Sequence, residues 1–308
     1  MLSFLPSYLL GILSLTLMTL NTLFWAVPVH IIALGKIAVP FSDRWQRLCA
    51  VAAMKTVHAW IGGILFALKL TTDVTWDIDG MEGLSLKEWY FINSNHQSWT
   101  DIMVLLQIFT GRIPFFKFFL KKELFWFPLM GTSFWTLDYP FMKRYSKEYL
   151  KKHPEKKGKD LETTRKMCER YRHTPVSILN FIEGTRFTPE KQARQKSPYR
   201  HLLRPKAGGF ALALSAMAGT IKTVLDVTII YPEGPPTFWD FLGGKVSHII
   251  VRVKKLPIPA HLLSGGYLDD PAYRDTFQAW VGELWYEKDE LIEQVMQGSK
   301  NKTSASSL

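Results

Sequence analysis

No Lys, Arg, Asp or Glu occurs before Lys36. So long an uncharged apolar start has to be buried in a bilayer or against protein, and residues 8–27 alone supply the roughly 20 apolar residues a bilayer span needs. A cleaved secretory leader begins with a basic stretch and has a shorter apolar core. Here the chain opens MLSFLPSYLL, which predicts an uncleaved anchor. Pro28 and His30 are expected to interrupt the run, and a second apolar stretch, 58–70, follows the polar segment 42–47. Residues 1–70 therefore read as an N-terminal membrane anchor, either a single span or a re-entrant helical hairpin. Lys36, Arg44 and Arg47 follow the apolar run, which places the rest of the chain on the cytoplasmic face of a membrane, the inner membrane in a bacterium.

The remaining residues suffice for one large α/β unit, 71–297, and the polar end 298–308 is expected to be disordered. Of the 308 residues 47% are hydrophobic, enough for a sizeable core. The two cysteines, Cys49 and Cys168, lie in no disulfide or metal-ligand spacing and read as reduced structural thiols. The net charge of +11 is concentrated: residues 141–206 carry 19 Lys and Arg against 7 Asp and Glu. Such a stretch suits anionic lipid, nucleic acid or an acidic carrier. It has few aromatics for base stacking and no nucleic-acid motif, so no nucleic-acid partner is expected.

Apolar β-rich runs at 74–78, 89–93, 115–120, 176–182, 224–231 and 247–253 alternate with segments long enough for helices. That alternation predicts an α/β fold, a mainly parallel sheet flanked by helices, with the N-terminal helical segment embedded in membrane. A further short strand is expected at 136–142. Charged residues 147–172 read as a solvated excursion with a helix from about Leu161, and a C-terminal amphipathic helix is expected at 283–296.

In open α/β sheets, ligands bind beyond the carboxyl ends of strands. The run Asn95-His96-Gln97-Ser98-Trp99-Thr100-Asp101 directly follows the strand at 89–93. With Ser98 as an N-cap, Asp101 falls in the first helical turn and can reach back to the imidazole. Two readings stand: a carboxylate orienting a general base, or a capping acid beside an ordinary loop histidine. Phe181-Ile182-Glu183-Gly184-Thr185-Arg186 ends another apolar run and reads as a phosphate cradle or as a turn with a surface arginine. Lys121, Lys122, Lys143 and Arg144 at two further strand ends either converge with Arg186 on a phosphate or are solvated surface cations. Gly-x-Ser-x-Gly is absent, which disfavours a serine hydrolase.

Together and in this order, these elements resemble the glycerophospholipid acyltransferase family, typified by 1-acylglycerol-3-phosphate acyltransferases. NHQSWTD is similar to its first block, KKELFWFPLMG through YPFMKR to its second, and FIEGTR to its third. The resemblance covers residues 73–232. It implies direct acyl transfer from an acyl thioester, acyl-CoA or acyl carrier protein, to the free hydroxyl of 1-acylglycerol-3-phosphate or a related lysophospholipid. It further implies His96 as general base, Asp101 orienting it, and Arg144, Glu183, Gly184, Thr185 and Arg186 around the acceptor phosphate, with Lys121 matching a lysine near the second block. Membrane lipids are the implied surroundings, and no metal or redox cofactor is implied.

The sequence departs from the family's pattern at Ile182, where Pro is usual, at Phe187, where Ser commonly follows the Arg, and at Asp226 in the fourth block. These changes make it similar to the lysocardiolipin and lysophosphatidylinositol acyltransferase-like branch, which implies a remodelling reaction on a larger headgroup. A non-catalytic, membrane-tethered anionic-lipid-binding protein is the rival outside the enzymes.

Overall fold

In the computed structural model, residues 2, 4–127, 129–142, 168, 171, 174–217, 219–263, 266–267 and 269–305 are described. Lys143, Arg144 and the helix expected from Leu161 lie outside them.

Helix α1 (Ser7–Ala38) runs straight through Pro28, against the expected interruption. Its ladder loses one N–H there. The helix is held along α2 (Asp43–Thr71) by Asn21 Nδ2 donating to the Trp60 carbonyl at 2.8 Å and Trp60 Nε1 donating to Thr22 Oγ1 at 3.1 Å. Both helices are long and apolar enough to cross a membrane. Ser42 opens α2 by accepting from the Trp45 N–H.

The two helices make an antiparallel hairpin that lies along the body. The second half of α2 is part of the main core, with Val57, Ile61, Ile64 and Leu68 buried beside sheet residues Ile92, Leu225 and Val251. Near its start, α1 is fixed by Ser14 Oγ, 2.9 Å from the Leu242 carbonyl. Near its end, buried Lys36 donates to Asp138 Oδ1 at 2.8 Å and to the Thr136 carbonyl at 3.2 Å. These two attachments are about 33 Å apart at 1.5 Å per helical residue.

The sheet holds β1 (Thr75–Asp79), β2 (Tyr90–Ser94), β3 (Phe116–Lys117), β6 (Ser177–Phe181), β7 (Thr223–Ile230) and β8 (His248–Pro257), ordered β1-β8-β7-β2-β6-β3. All neighbours are parallel except β7 and β8. β2 is buried along its whole length, as a central parallel strand should be. Its side chains alternate: Tyr90 and Ile92 face α2 and α3 (Thr100–Phe109), whereas Phe91 faces α6 (Ala207–Ala216) and α8 (Pro271–Ala305).

The run 115–120 is not one strand. Phe116 and Lys117 pair with β6, and then the chain crosses to a small second sheet of β4 (Leu120–Lys121) and β5 (Phe141–Met142). The strand expected at 136–142 shrinks to β5, because α4 (Met130–Thr136) occupies the start of that stretch. Packing of α4 on α1 overrides the β-propensity of its aromatics. A 3-10 helix, Lys122–Trp126, precedes α4. The last helix is far longer than 283–296 and reaches Ala305, past the start of the polar end. Short helices among the described residues also include α5 (Pro189–Gln195) and α7 (Phe238–Leu242).

Candidate active site

β2 stops because Asn95 replaces the ladder. Its side chain donates to the Ile229 carbonyl at 2.8 Å and accepts from the Ile229 N–H at 2.9 Å, so the chain leaves the sheet at a fixed angle. His96 follows in the loop beyond the strand's carboxyl end. Its Nδ1 lies 2.8 Å from Asp101 Oδ2, and since a carboxylate only accepts, the proton sits on Nδ1. The same oxygen accepts the N–H groups of Gln97 at 2.6 Å and Ser98 at 2.9 Å, while Oδ1 accepts from the Tyr231 hydroxyl at 2.6 Å. Asp101 is fully buried. The two readings of this residue thus describe one arrangement: it closes the loop at the start of α3 and grips the imidazole. The imidazole is stacked on Phe181, with centroids 4.0 Å apart and planes inclined by 17°.

The third block is sewn to this loop. His96 donates its N–H to Glu183 Oε1 at 3.0 Å, and its carbonyl accepts the Phe187 N–H at 2.7 Å. Glu183 Oε2 accepts the Leu203 N–H at 3.1 Å. Glu183 is therefore a buried brace between segments. Gly184 sits at φ +67, where a side chain is strained, and a Cβ there would lie 3.1 Å from Lys206 Nζ. Thr185 accepts a hydrogen bond from Lys191 Nζ at 3.0 Å, and the Arg186 guanidinium lies 4.8 Å from the centre of the exposed Trp99 ring.

A cavity of about 690 Å³ opens between these loops. Its polar rim holds His96, Gly184, Thr185, Arg186 and Lys206; its apolar wall includes Ile102, Phe118, Phe119, Leu179 and Leu212. The structure brings His96, Asp101, Gly184, Thr185 and Arg186 together, with Glu183 behind them. Lys121 is exposed on β4 and does not line the cavity. Arg144 is outside the described residues. Lys206, Tyr231 and Trp99 are the site's members that sequence reasoning passed over; Lys206 stands one residue before α6 and was hidden within a long cationic stretch.

Burial pushes the Glu183 carboxyl up to about 7, against the two backbone N–H bonds that lower it. With its folded value above the ordinary 4.5, the native state holds this proton more tightly than the unfolded chain does. Its contribution to stability is complete below pH 4.5 and is lost as pH rises through about 7. Melting curves across that window should therefore fall for the native sequence and run flatter for Glu183→Gln, by on the order of 3 kcal/mol. Parallel curves would show that Glu183 titrates normally.

A buried carboxylate holding a part-buried imidazole at the end of a parallel strand, facing a cavity with a cationic rim, is an arrangement that can take a proton beside an anion. The acyltransferase family model matches residues 76–234, and the chain belongs to that family. Among curated relatives it is similar to 1-acyl-sn-glycerol-3-phosphate acyltransferase delta of Mus musculus, 28% identical over 189 residues, covering 58% of this chain and 45% of the relative. It is also similar to 1-acyl-sn-glycerol-3-phosphate acyltransferase 3 of Arabidopsis thaliana, 28% identical over 222 residues, covering 67% and 54%. The chain spans about half the length of these relatives. A solved structure of the 1-acyl-sn-glycerophosphate (LPA) acyltransferase PlsC from Thermotoga maritima aligns with 92% of this chain and 98% of that one, at 14% identity and a TM-score of 0.44.

Proposed function

We propose that this chain transfers a fatty acyl group from an acyl thioester to the free hydroxyl of 1-acylglycerol-3-phosphate or a related lysophospholipid. The observation that carries this reading is the His96–Asp101 pair at 2.8 Å on the wall of a cavity that also holds Arg186 and Lys206. With Nδ1 engaged, Nε2 is the nitrogen left to take the acceptor's proton. The alcohol oxygen attacks the thioester carbonyl, and the tetrahedral intermediate collapses by breaking the C–S bond. The leaving thiolate then recovers the proton from the imidazolium, whose charge the Asp101 carboxylate stabilises.

Arg186, Lys206 and the bare backbone at Gly184 receive the acceptor phosphate, and the apolar wall receives an acyl chain. The donor is acyl-CoA or acyl carrier protein, and the reaction so written requires no metal or redox cofactor. Remodelling of a lysophospholipid with a larger headgroup is the second reading, favoured by the departures at Ile182 and Phe187.

The hairpin geometry supports membrane attachment from one side. Residues 57–68 of α2 lie within the protein core, and α1 touches the body at two points about 33 Å apart, more than the roughly 30 Å of bilayer hydrocarbon. A helix crossing that hydrocarbon cannot keep both ends against a body on one side. The exposed stripe of α1, including Leu20, Leu23, Phe24, Val27 and Ile31, instead lies in one leaflet. The body lies at the cytoplasmic surface on this reading, supported by two buried cysteines in no disulfide spacing and by the cationic stretch, which suits an anionic leaflet.

The test supplies the purified chain with labelled acyl-CoA or acyl carrier protein and a panel of lysolipids. Because Arg186 is exposed, its removal is expected to raise the acceptor KM by only about tenfold with kcat largely kept. An Arg186→Ala protein with unchanged KM takes that residue out of the site. Consumption of lysophosphatidate alone discards the remodelling reading.

A further inference from the structure

We infer that the knuckle formed by residues 122–127, 129 and 130 is a second membrane contact, a wedge inserted into an anionic bilayer surface. This rests on the reading that the chain works at a membrane, but not on acyl transfer itself.

Five large apolar side chains stand exposed within six residues: Phe125, Trp126, Phe127, Leu129 and Met130, with Trp126 77% and Leu129 59% accessible. A cluster of this density is rare on a surface facing only water. The knuckle is also built, not frayed. The Gly131 N–H donates to the Phe127 carbonyl at 2.9 Å, and a Cβ on Gly131 would lie 1.9 Å from the Phe125 carbonyl oxygen. Leu129 is held at φ 63, a conformation a leucine adopts only when its surroundings impose it.

Three features select a bilayer as the occupant. First, α4, which follows the knuckle, packs on both α1 and α2, and buried Lys36 bolts the end of α1 to the Thr136 carbonyl at 3.2 Å and to Asp138 at 2.8 Å. The knuckle is thereby tied to the end of α1, where Leu34 and Ile37 are also exposed. Secondly, Lys121 and Lys122 flank the aromatics with a single exposed acid, Glu123, beside them. An aromatic tip with flanking lysines matches an interface where rings sit at headgroup level and ammonium groups meet lipid phosphates. Thirdly, the knuckle leads to the site. Phe118 on the cavity wall packs edge-on against Phe134 of α4 at 5.9 Å and against Tyr139 at 5.1 Å, so aromatic contacts join the cavity wall to the helix that the knuckle leads into.

The two native cysteines are buried, so a single surface cysteine can carry an environment-sensitive fluorophore. Trp126→Cys, Ile31→Cys on α1 and Tyr286→Cys on α8 are to be compared in the full chain on vesicles of phosphatidylcholine with phosphatidylglycerol. The expected result is that label at 126 is quenched by doxyl-labelled lipid, as at 31, and shielded from iodide, while label at 286 is quenched by iodide alone. Equal iodide quenching at 126 and 286, with no doxyl quenching at 126, overturns the inference; so does shielding from iodide at 126 in vesicle-free solution, which would indicate a protein partner. Trp126→Asp with Phe127→Asp is further expected to lower turnover of vesicle-embedded lysolipid by on the order of tenfold, while sparing a short-chain soluble lysolipid. An equal loss on both substrates rejects the entry role, and the labelling comparison tests insertion independently of the folding of the double variant. Membrane insertion without any acyl transfer would refute the proposed function and leave the wedge standing.

Discussion

His96→Ala is expected to reduce acyl transfer about a thousandfold or more while leaving the fold intact. The loop's own anchoring does not depend on the ring: it is held by Asn95 on Ile229, by Glu183 on the His96 N–H, and by the Phe187 N–H on the His96 carbonyl. None of these needs the side chain. Asp101→Asn is expected to cost about a hundredfold or more. An amide can keep its oxygen towards Gln97, Ser98 and the imidazole and turn its NH2 to Tyr231, whose hydroxyl can accept, so the geometry survives. What disappears is the negative charge that stabilises the imidazolium. Product formation from labelled acyl-CoA and lysophosphatidate, alongside near-ultraviolet circular dichroism, measures both. Turnover at the native rate in either variant would sink the general-base mechanism.

The second large effect concerns stability. Lys288 of α8 is fully buried, 3.0 Å from Asp226 Oδ2, and also donates to the Val227 carbonyl at 2.6 Å and Thr228 Oγ1 at 3.1 Å. Asp226 Oδ1 accepts from Asn93 at 2.9 Å. Burial pushes the Asp226 carboxyl up and the Lys288 ammonium down, each shift being opposed by the partner's charge. Lys288→Met leaves a carboxylate buried without its cation and is expected to cost about 3–5 kcal/mol in chemical denaturation. Adding Asp226→Leu should recover most of that loss, because an apolar pair removes the need for either charge, although Asn93 then loses its acceptor. Additive losses in the double variant would show that the two residues act separately.

That pair also accounts for a departure noted in the sequence. Asp226 stands near the usual proline of the fourth block, and it is tolerated because a lysine 62 residues later in the chain neutralises it inside the core. Nothing local to VLDVTIIYP announces this. Ile182 is likewise buried, at 1% exposure, and faces the α6 and α8 side of the sheet, where an aliphatic side chain fills space.

Local chemistry by itself determined much of this protein. Period-two and largely apolar runs placed β1, β2, β6 and β7 to within a residue at their ends, because strands packed in a covered sheet are mostly apolar. The spacing of His96 and Asp101, with a strand before and a helix after, confined the two side chains to a single turn, so their contact was legible as well. Tertiary structure alone decided the rest. Hydropathy cannot tell lipid from protein core, and so could not reveal that half of α2 covers the sheet while α1 faces outwards. Nor can a run of cations show which ammonium reaches the cavity; Lys206 does so because its backbone N–H is fixed to the Ile182 carbonyl at 2.8 Å. Each of these outcomes depends on contacts between residues far apart in the chain, which no local pattern of residues encodes.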